Sequence, residues 1–352
     1  MHILLSLEYK RKEGRIDLYD FIRGFAMLLV ILQHSEISGQ EYLLAFHMPL
    51  FFFLSGFVSG NRQNTKFLEY VKTRFKRLMI PYLVFGSLFI VSYYFLSIII
   101  GKEYDIVNAF YGMLTGQYGF VSPFVSGIYW FLMTLFVAEL LVFPFCKISN
   151  KYVSFRYYVT GGGILLFVIL SYVTTHGYPM TLFTAEKSFM AAAFILMGSI
   201  CKPLSSVLLK EIKRPHYLII TIFCCVLVYL SVSLNNQEVL MYLNQYGKYG
   251  YFFLGSVAGI IATILIAKLL IIELNENGLI YHFFMWAGYN SLVLFPVHVT
   301  LLLFLRLSGF YTFIGIDNFL LHFVIVMCFG IPLCNFISIY MPWMLGEKKR
   351  IK

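Results

Sequence analysis

Apolar residues occur along the chain in long runs, and short polar stretches separate the runs and carry most of the charge. A helix needs about 17 to 25 such residues to cross a bilayer. The pattern predicts ten membrane-spanning helices, near residues 21–37, 42–60, 78–100, 127–147, 157–175, 187–205, 216–234, 249–272, 284–307 and 318–345. The predicted fold class is therefore all-α, a polytopic membrane bundle of about ten transmembrane helices.

The composition supports a membrane protein, since 60% of the residues are hydrophobic and only 12% are charged. The net charge of +10 could suggest a nucleic-acid partner. However, the basic residues fall in short loops, where they set orientation and contact anionic lipid, so membrane lipid is expected as a partner and nucleic acid is not. A cytoplasmic N-terminus places every Lys and Arg on the inner side except Lys102, Lys187, Lys248 and Arg306. Both termini are therefore predicted to be cytoplasmic.

The predicted organisation is a cytoplasmic N-terminal segment (1–20), a single integral-membrane domain (21–345) and a basic cytoplasmic tail (346–352). The opening MHILLSL is too short for a signal-peptide core, so the first span is expected to be an uncleaved anchor. The six cysteines form no CxxC motif, and no histidine lies at metal-ligand spacing from them. Neither disulfides nor a metal site is expected.

The first apolar segment contains Arg23 and, eleven residues later, His34. Eleven helical steps return to within about 20° of the starting direction and rise about 16 Å, so both side chains are predicted on one helix face. Charged groups at membrane depth cost roughly 2.5 to 3.5 kcal/mol and often mark a substrate path. The structural alternative is that Asp20 caps the helix, Arg23 reaches the headgroups and His34 is a hydrogen-bonded interfacial residue.

The second segment, FHMPLFFFLSGF, places His47 two residues before Pro49. A short hairpin between the first two segments predicts that His34 and His47 lie on the outer side, where they could approach each other or one substrate. Pro49 frees backbone carbonyls, and the small residues Ser55 and Gly56 permit close helix contact, so structural roles account for most of this string.

Three basic residues, Arg74, Lys76 and Arg77, precede the third apolar segment. Such a cluster is commonly an orientation signal. The functional alternative is phosphate binding, which suits the forked guanidinium group of arginine. Together with Arg23, these residues could bind a phosphate-rich cofactor from the cytoplasm.

Two further titratable residues, Glu139 and His298, lie within predicted spans. Both are candidates for catalysis. The alternatives are a protonated carboxyl group hydrogen-bonded between helices and a histidine that satisfies a carbonyl freed by Pro296. His322 is interpreted as a loop or interface residue without a role.

The motifs together resemble the membrane acyltransferase-3 family, and within it the fucose O-acetylase-like and surface-polysaccharide O-acetyltransferases of bacteria. The resemblance is strongest in residues 15–85 and weaker around 128–142 and 285–300. The matching residues are Asp20, Arg23 and Gly24 with His34, the string FHMPLFFFLSGF, Arg74 and Arg77 in RFKRLMIPY, Trp130 and Phe131, and GYNSLVLFPVH ending in His298.

The resemblance implies a multi-pass protein of the bacterial cytoplasmic (inner) membrane that transfers an acyl group, usually acetyl, from cytoplasmic acetyl-CoA to a carbohydrate hydroxyl. The acceptor would be a polysaccharide such as lipopolysaccharide, capsule or exopolysaccharide, or a lipid-linked glycan. His34 would be the essential histidine and general base, with Arg23 as its partner and His47, Glu139 and His298 as further catalytic candidates. Arg74, Arg77, Lys76 and Arg23 would bind the acyl-CoA. The hydrolase-like domain that some relatives append is expected to be absent.

Two other classes of function remain open on the sequence. A transporter or exporter of an anionic or lipid-linked sugar would use Arg23, Glu139 and the histidines to bind an anion or relay protons. A membrane scaffold or sensor would need no polar site at all. The acceptor sugar, the side of the membrane on which transfer occurs and the formation of a homo-oligomer also stay open.

Overall fold

A computed structural model describes residue 7 and residues 17–117, 123–177, 182–204, 214–315 and 318–347. The chain forms two compact units. The first unit comprises residues 1–54, 203–241 and 245–339, and the second comprises residues 55–202, 242–244 and 340–352. In the described ranges both units are helical, and the only extended pairing is an isolated bridge between Leu240 and Gln245.

The α-helices follow one another along the chain with short connections. Those of the first half are α1 (Asp17–His34), α2 (Gln40–Leu44), α3 (His47–Phe57), α4 (Phe67–Arg74), α5 (Ile80–Ile99), α6 (Ile106–Thr115), α7 (Pro123–Lys151) and α8 (Arg156–Gly177). Those of the second half are α9 (Ala185–Cys201), α10 (Arg214–Asn235), α11 (Tyr249–Glu273), α12 (Leu279–Tyr289), α13 (Ser291–Leu307), α14 (Phe310–Ile314) and α15 (Phe319–Tyr340). A π-helical turn, Phe75–Met79, joins α4 to α5, and 3₁₀ turns occupy Val153–Phe155, Leu182–Thr184, Lys202–Leu204, Met241–Leu243 and Pro342–Leu345.

Seven helical segments of the described chain are long and apolar enough to cross a membrane. They are Phe67–Ile99, Tyr129–Lys151, Val153–Gly177, Ala185–Leu204, Arg214–Asn235, Tyr249–Glu273 and Phe319–Tyr340. The number becomes eight if α12 and α13, which are bent by 93° relative to each other, count as one span. The all-α membrane fold is thus confirmed. A total of about ten spans and the cytoplasmic side of both termini stay predictions, and most of the predicted N-terminal segment and basic tail lies outside the described residues.

Close backbone contact between α1 and α12 organises the first unit. A Cβ atom added to Gly24 would lie 2.8 Å from the backbone nitrogen of Gly288, and one added to Gly288 would lie 3.1 Å from that of Gly24. Small residues allow such approach in membrane helices. α12 is also tied to α15, because the fully buried Trp286 donates a hydrogen bond from Nε1 to Oδ1 of Asn335 at 2.8 Å.

The prediction of a single helix near 42–60 is wrong in one respect, because the structure has two helices there, α2 and α3. Pro49 has no amide hydrogen to offer the carbonyl of Ala45, and its ring crowds that carbonyl, which favours a break in the helix just before this point. The oxygen of Ala45 instead accepts a hydrogen bond from Oγ of Ser256 at 2.7 Å. Pro49 therefore frees a backbone carbonyl group, as predicted, and the hydroxyl group of Ser256 forms a hydrogen bond with it.

Two further predicted boundaries are corrected by the structure. The helix predicted near 284–307 begins at Leu279 and bends at Asn290, whose side-chain Nδ2 donates to the carbonyl oxygen of Trp286 at 3.1 Å. Asparagine side chains compete in this way with the helical backbone pattern. In addition, α1 begins at Asp17, so Asp20 lies inside its first turn and is not the N-cap.

The second unit is built around α7, which packs against α8 and α9. The end of α3 fits closely on α9, because a Cβ atom on Gly56 would overlap the carbonyl of Ile195. The π-helical turn packs against α7 and against the 3₁₀ turn Pro342–Leu345. This arrangement brings α4 and α7 side by side.

Candidate functional site

Three histidines of the first unit come together near the C-terminal end of α1. The ring centroids of His34 and His298 are 5.4 Å apart, and the rings are tilted by 46°. His47 lies close enough to His34 for charges on the two rings to interact. We call His34, His47 and His298 the histidine cluster. His34 and His298 thus meet in the structure, and His47 lies within the range of electrostatic interaction with His34.

The hydrogen bonds of His47 and His298 determine which ring nitrogen carries the proton in the neutral form. Nδ1 of His47 lies 2.7 Å from the carbonyl oxygen of Leu43, and Nδ1 of His298 lies 2.9 Å from that of Leu294. A carbonyl accepts only, so Nδ1 is the donor in each ring and Nε2 holds a lone pair. Nε2 of His298 is buried and has no hydrogen-bond partner among the described residues.

The turn that follows His34 is held by donors from distant parts of the first unit. Nη2 of Arg306 donates to the carbonyl oxygen of His34 at 3.2 Å and lies 3.0 Å from Oε1 of Glu36. Nδ1 of His322 lies 3.3 Å from the carbonyl oxygen of Ser35. The last carbonyls of a helix have no partner within the helix, and basic side chains commonly satisfy them. Arg306 and His322 thus fix the position of His34.

Neither of these contacts is predicted by the sequence. His322 was expected in a loop or interface, whereas it is buried in α15. Arg306 was counted only as an outer-side charge. The sequence does indicate that the last carbonyl groups of α1 require hydrogen-bond donors. It does not indicate which residues supply these donors.

Arg23 lies on α1 together with His34, as predicted, within one continuous helix of 18 residues. Its Nη1 atom is 2.8 Å from Oδ1 of Asp20, and the side chain of Asp20 is buried. Eleven residues of helix correspond to a rise of about 16 Å, so Arg23 is about three turns from His34. Arg23 thus forms an ion pair with Asp20, which lies on the same helix.

A second polar group lies in the second unit around Glu139, whose side chain is 1% exposed. Oε1 of Glu139 accepts a hydrogen bond from Oγ of Ser55 at 2.5 Å. Oε2 accepts from Nη2 of Arg62 at 3.0 Å and from the hydroxyl of Tyr70, and it lies 3.2 Å from Nε of Arg74. We call these five residues the glutamate cluster. Glu139 is thus an ion-paired carboxylate at the centre of a hydrogen-bond network.

The basic residues that precede α5 have different environments. Arg74 has a side chain that is 19% exposed and contacts Glu139. Lys76 and Arg77 are exposed and lie in the π-helical turn Phe75–Met79. A π-helical turn has more residues per turn than an α-helix, so residues 74 and 77 do not keep the angular relation of an α-helical i, i+3 pair. Arg74 therefore faces the buried Glu139, whereas Arg77 lies on the surface.

A family model described as an acyltransferase domain matches residues 16–339. The chain belongs to the acyltransferase-3 family. No curated protein and no solved structure matches the chain. The family implies membrane acyltransferase activity, and the long apolar helices agree with a multi-pass membrane protein.

In this acyltransferase-3 protein the predicted site residues fall into separate local groups. His34, His47 and His298 form one group, and Arg74 and Glu139 form another, while Arg23 pairs with Asp20. Sequence reasoning missed Arg62 of the glutamate cluster, since it lies in the polar loop GNRQN and was counted only as one of several loop charges. It also assigned Ser55 to helix packing, although the hydroxyl group donates to Glu139.

Proposed function

We propose that this protein transfers an acetyl group from cytoplasmic acetyl-CoA to a hydroxyl group of a cell-surface carbohydrate or of its lipid-linked precursor. The membrane would be the bacterial cytoplasmic membrane. The observation that carries the proposal is the histidine cluster, in which a partly exposed His34 lies beside a buried His298 with an unused nitrogen. Two imidazoles with free lone pairs suit proton transfer near neutral pH.

In the proposed reaction His34 is the general base. As the acceptor oxygen attacks the thioester carbonyl carbon, His34 takes the hydroxyl proton, a C–O bond forms and the C–S bond breaks. The leaving CoA thiolate then receives a proton, which returns His34 to its neutral form. Nε2 of His298 accepts a hydrogen bond in the same site and orients the acceptor hydroxyl or the ring of His34, and His47 contributes a second fixed acceptor. No covalent acyl-enzyme is required.

The donor is proposed to bind through the basic residues Arg74, Arg77, Lys76 and Arg23. Guanidinium groups bind phosphate groups with two parallel hydrogen bonds, and CoA carries its phosphates at the nucleotide end. The exposed positions of Lys76 and Arg77 are suited to first contact with a soluble anion. The long pantetheine arm then separates the phosphates from the thioester.

The decisive test uses purified protein in detergent, labelled acetyl-CoA and candidate carbohydrate acceptors. We expect His34→Ala to lower acetyl transfer by roughly 10²- to 10⁴-fold, which is the usual contribution of a general base. His216→Ala is the matched control, because His216 is exposed at the start of α10. Formation of the acetylated product at the wild-type rate by His34→Ala would refute the role of His34 as general base. Mass spectrometry of surface glycans with and without the protein should show a difference of one acetyl group per modified sugar.

The same preparation separates the proposed enzyme from a sugar transporter. An acetyltransferase consumes acetyl-CoA in detergent, where no two compartments exist, whereas a transporter requires a sealed vesicle. Absence of acetyl-CoA consumption with every acceptor class, combined with sugar uptake into vesicles, would favour the transporter.

A further inference from the structure

The glutamate cluster contains more positive than negative charge. Arg62 and Arg74 are two cations, and Glu139 is the one carboxylate that both contact. Lys202 adds a third cation that interacts electrostatically with Arg62 and donates from Nζ to the carbonyl oxygen of Ser59. A buried charge without a counter-charge is costly. Among the residues that the structure describes, the cluster therefore carries a net positive charge.

Most of the acceptor positions of the Glu139 carboxylate are already occupied. A carboxylate offers about four lone-pair positions. Ser55, Arg62, Tyr70 and Arg74 direct one donor each toward the two oxygens of Glu139. Because three of these donors share Oε2, a further arginine nitrogen is better paired with a different acceptor.

Arg62 has such a nitrogen. Its side chain is 5% exposed, its Nη2 atom bonds Glu139, and its Nη1 atom is buried with no hydrogen-bond partner in the described part of the chain. Buried polar groups without a partner cost about 1 to 3 kcal/mol, and more when the group is charged. Leaving Nη1 unpaired is therefore unfavourable, and an acceptor from outside the described residues, such as a ligand, would remove this cost.

The two guanidinium groups are also held in place by an aromatic ring. The central carbon of Arg62 lies 4.8 Å from the ring centroid of Tyr70, and that of Arg74 lies 5.1 Å from the same centroid. The hydroxyl group of Tyr70 bonds Glu139 at the same time. The positions of both arginine side chains are thus fixed without a ligand. Arg74 is partly exposed and lies on the same tyrosine ring as the buried Arg62.

We propose that Arg62 and Arg74 form a binding site for a phosphate group that carries one negative charge, as in a phosphodiester or each phosphate of a pyrophosphate. Such a group brings the sum of Arg62, Arg74 and Glu139 to zero and offers acceptors for Nη1 of Arg62. The forked guanidinium matches the geometry of phosphate oxygens. A soluble nucleotide and a phospholipid headgroup share this chemistry. If the proposed function holds, the nucleotide source is the pyrophosphate of acetyl-CoA, and Arg62 is a donor-binding residue.

The test measures ligand-induced thermal stabilisation of the full chain in a neutral detergent. The probes are adenosine diphosphate for a soluble pyrophosphate, phosphatidylglycerol in mixed micelles for a lipid phosphodiester, and phosphatidylcholine as a lipid without net charge. A ligand at free concentration c that binds the folded protein stabilises it by RT ln(1 + c/Kd), so the unfolding temperature rises with ligand concentration and with affinity. We expect Arg62→Lys, which keeps the charge but lacks the fork, to weaken binding of the active probe roughly 10- to 100-fold.

Arg214→Lys is the matched control, since Arg214 makes a 2.9 Å ion pair with Glu273 but is exposed. It should leave binding unchanged. If Arg62→Lys does not fold, the double variant Arg62→Gln with Glu139→Gln replaces it, because it removes both charges of one ion pair and keeps hydrogen-bonding groups at each position. Its affinity should fall by a similar factor.

The outcomes separate the alternatives. Stabilisation by adenosine diphosphate that is lost in the Arg62 variant supports the site and a soluble ligand. The same result with phosphatidylglycerol alone supports the site and a lipid ligand. No response of the wild-type protein to either probe, or an equal response of the Arg62 variant, overturns the proposal. His34→Ala should retain phosphate binding, so failure of acetyl transfer and failure of this site are distinguishable.

Discussion

Substitution of Gly24 by alanine tests the close contact between α1 and α12. The added Cβ would overlap the carbonyl oxygen of Phe284 and lie 2.9 Å from its carbonyl carbon, whereas ordinary contacts begin at 3.4 Å. The two helix backbones must therefore separate by at least the difference between these distances, 0.5 Å. Backbone atoms cannot rotate away as side chains do. We expect an overpacking cost of about 1 to 3 kcal/mol.

A matched control isolates this cost. Gly162→Ala lies in α8, where an added Cβ meets nothing within 4 Å. Both variants gain about 0.5 to 1 kcal/mol, because alanine favours a helix over glycine. The difference in free energy of unfolding between the two variants therefore reports the overpacking term alone.

The assay is denaturant unfolding in mixed micelles, followed by tryptophan fluorescence and repeated for Gly288→Ala and the double variant. We expect Gly24→Ala to be less stable than Gly162→Ala by about 1 to 3 kcal/mol. The double variant should lose less than the sum of Gly24→Ala and Gly288→Ala, because one separation of the helices relieves both overlaps. A difference below about 0.5 kcal/mol from the control, or full additivity, would refute the close contact.

Three further predictions concern the two polar clusters. His298→Ala should lower the turnover number for acetyl transfer by about 10²-fold or more with little change in KM for acetyl-CoA, and a change confined to KM would show that it acts only in binding. Glu139→Ala leaves the buried Arg62 and the partly exposed Arg74 without their carboxylate. The free energy of unfolding should therefore fall by about 3 to 5 kcal/mol, and a loss below about 1 kcal/mol would contradict the buried ion pair of Arg62. Arg77→Ala should leave thermal stability unchanged because the residue is exposed, while weakening acetyl-CoA binding by up to about fivefold in equilibrium titration, and unchanged affinity would return Arg77 to an orientation signal.

The helical membrane architecture could be predicted because it depends on local composition. A span of apolar residues must satisfy its backbone groups within itself, so each long run becomes a helix wherever it sits. The runs near 216–234 and 249–272 appear as α10 and α11 with boundaries shifted by only a few residues. No long-range information is needed for this part of the fold.

The breaks within helices depended on partners that sequence order does not reveal. Pro49 is visible in the sequence, but the division of α2 from α3 is stabilised by Ser256, which lies in another helix. The bend at Asn290 likewise has a partner in another helix, because Oγ of Ser338 in α15 donates to Oδ1 of Asn290 at 3.2 Å. In both places a local signal existed, and its structural consequence was decided by packing.

The sequence indicated which residues are candidates for the site, but it did not indicate which of them contact one another. The spacing of Arg23 and His34 on one helix face follows from helix geometry, and the continuous α1 agrees with it. The meeting of His34 with His298 joins residues far apart in the chain and could only be seen in the structure. Arg62 was overlooked because a basic residue in a loop is most simply explained by membrane orientation.

The glutamate cluster also constrains how the protein is made. Arg62 precedes Glu139 by 77 residues. At translation rates of about 5 to 20 residues per second, the arginine is synthesised roughly 4 to 15 s before its carboxylate. During that interval the guanidinium must remain hydrated, so it cannot be buried while α5 enters the bilayer. Pairing of this charge with Glu139 therefore belongs to the later stage at which α7 docks, and a delay of α7 prolongs the time during which the nascent chain carries the cation without its carboxylate.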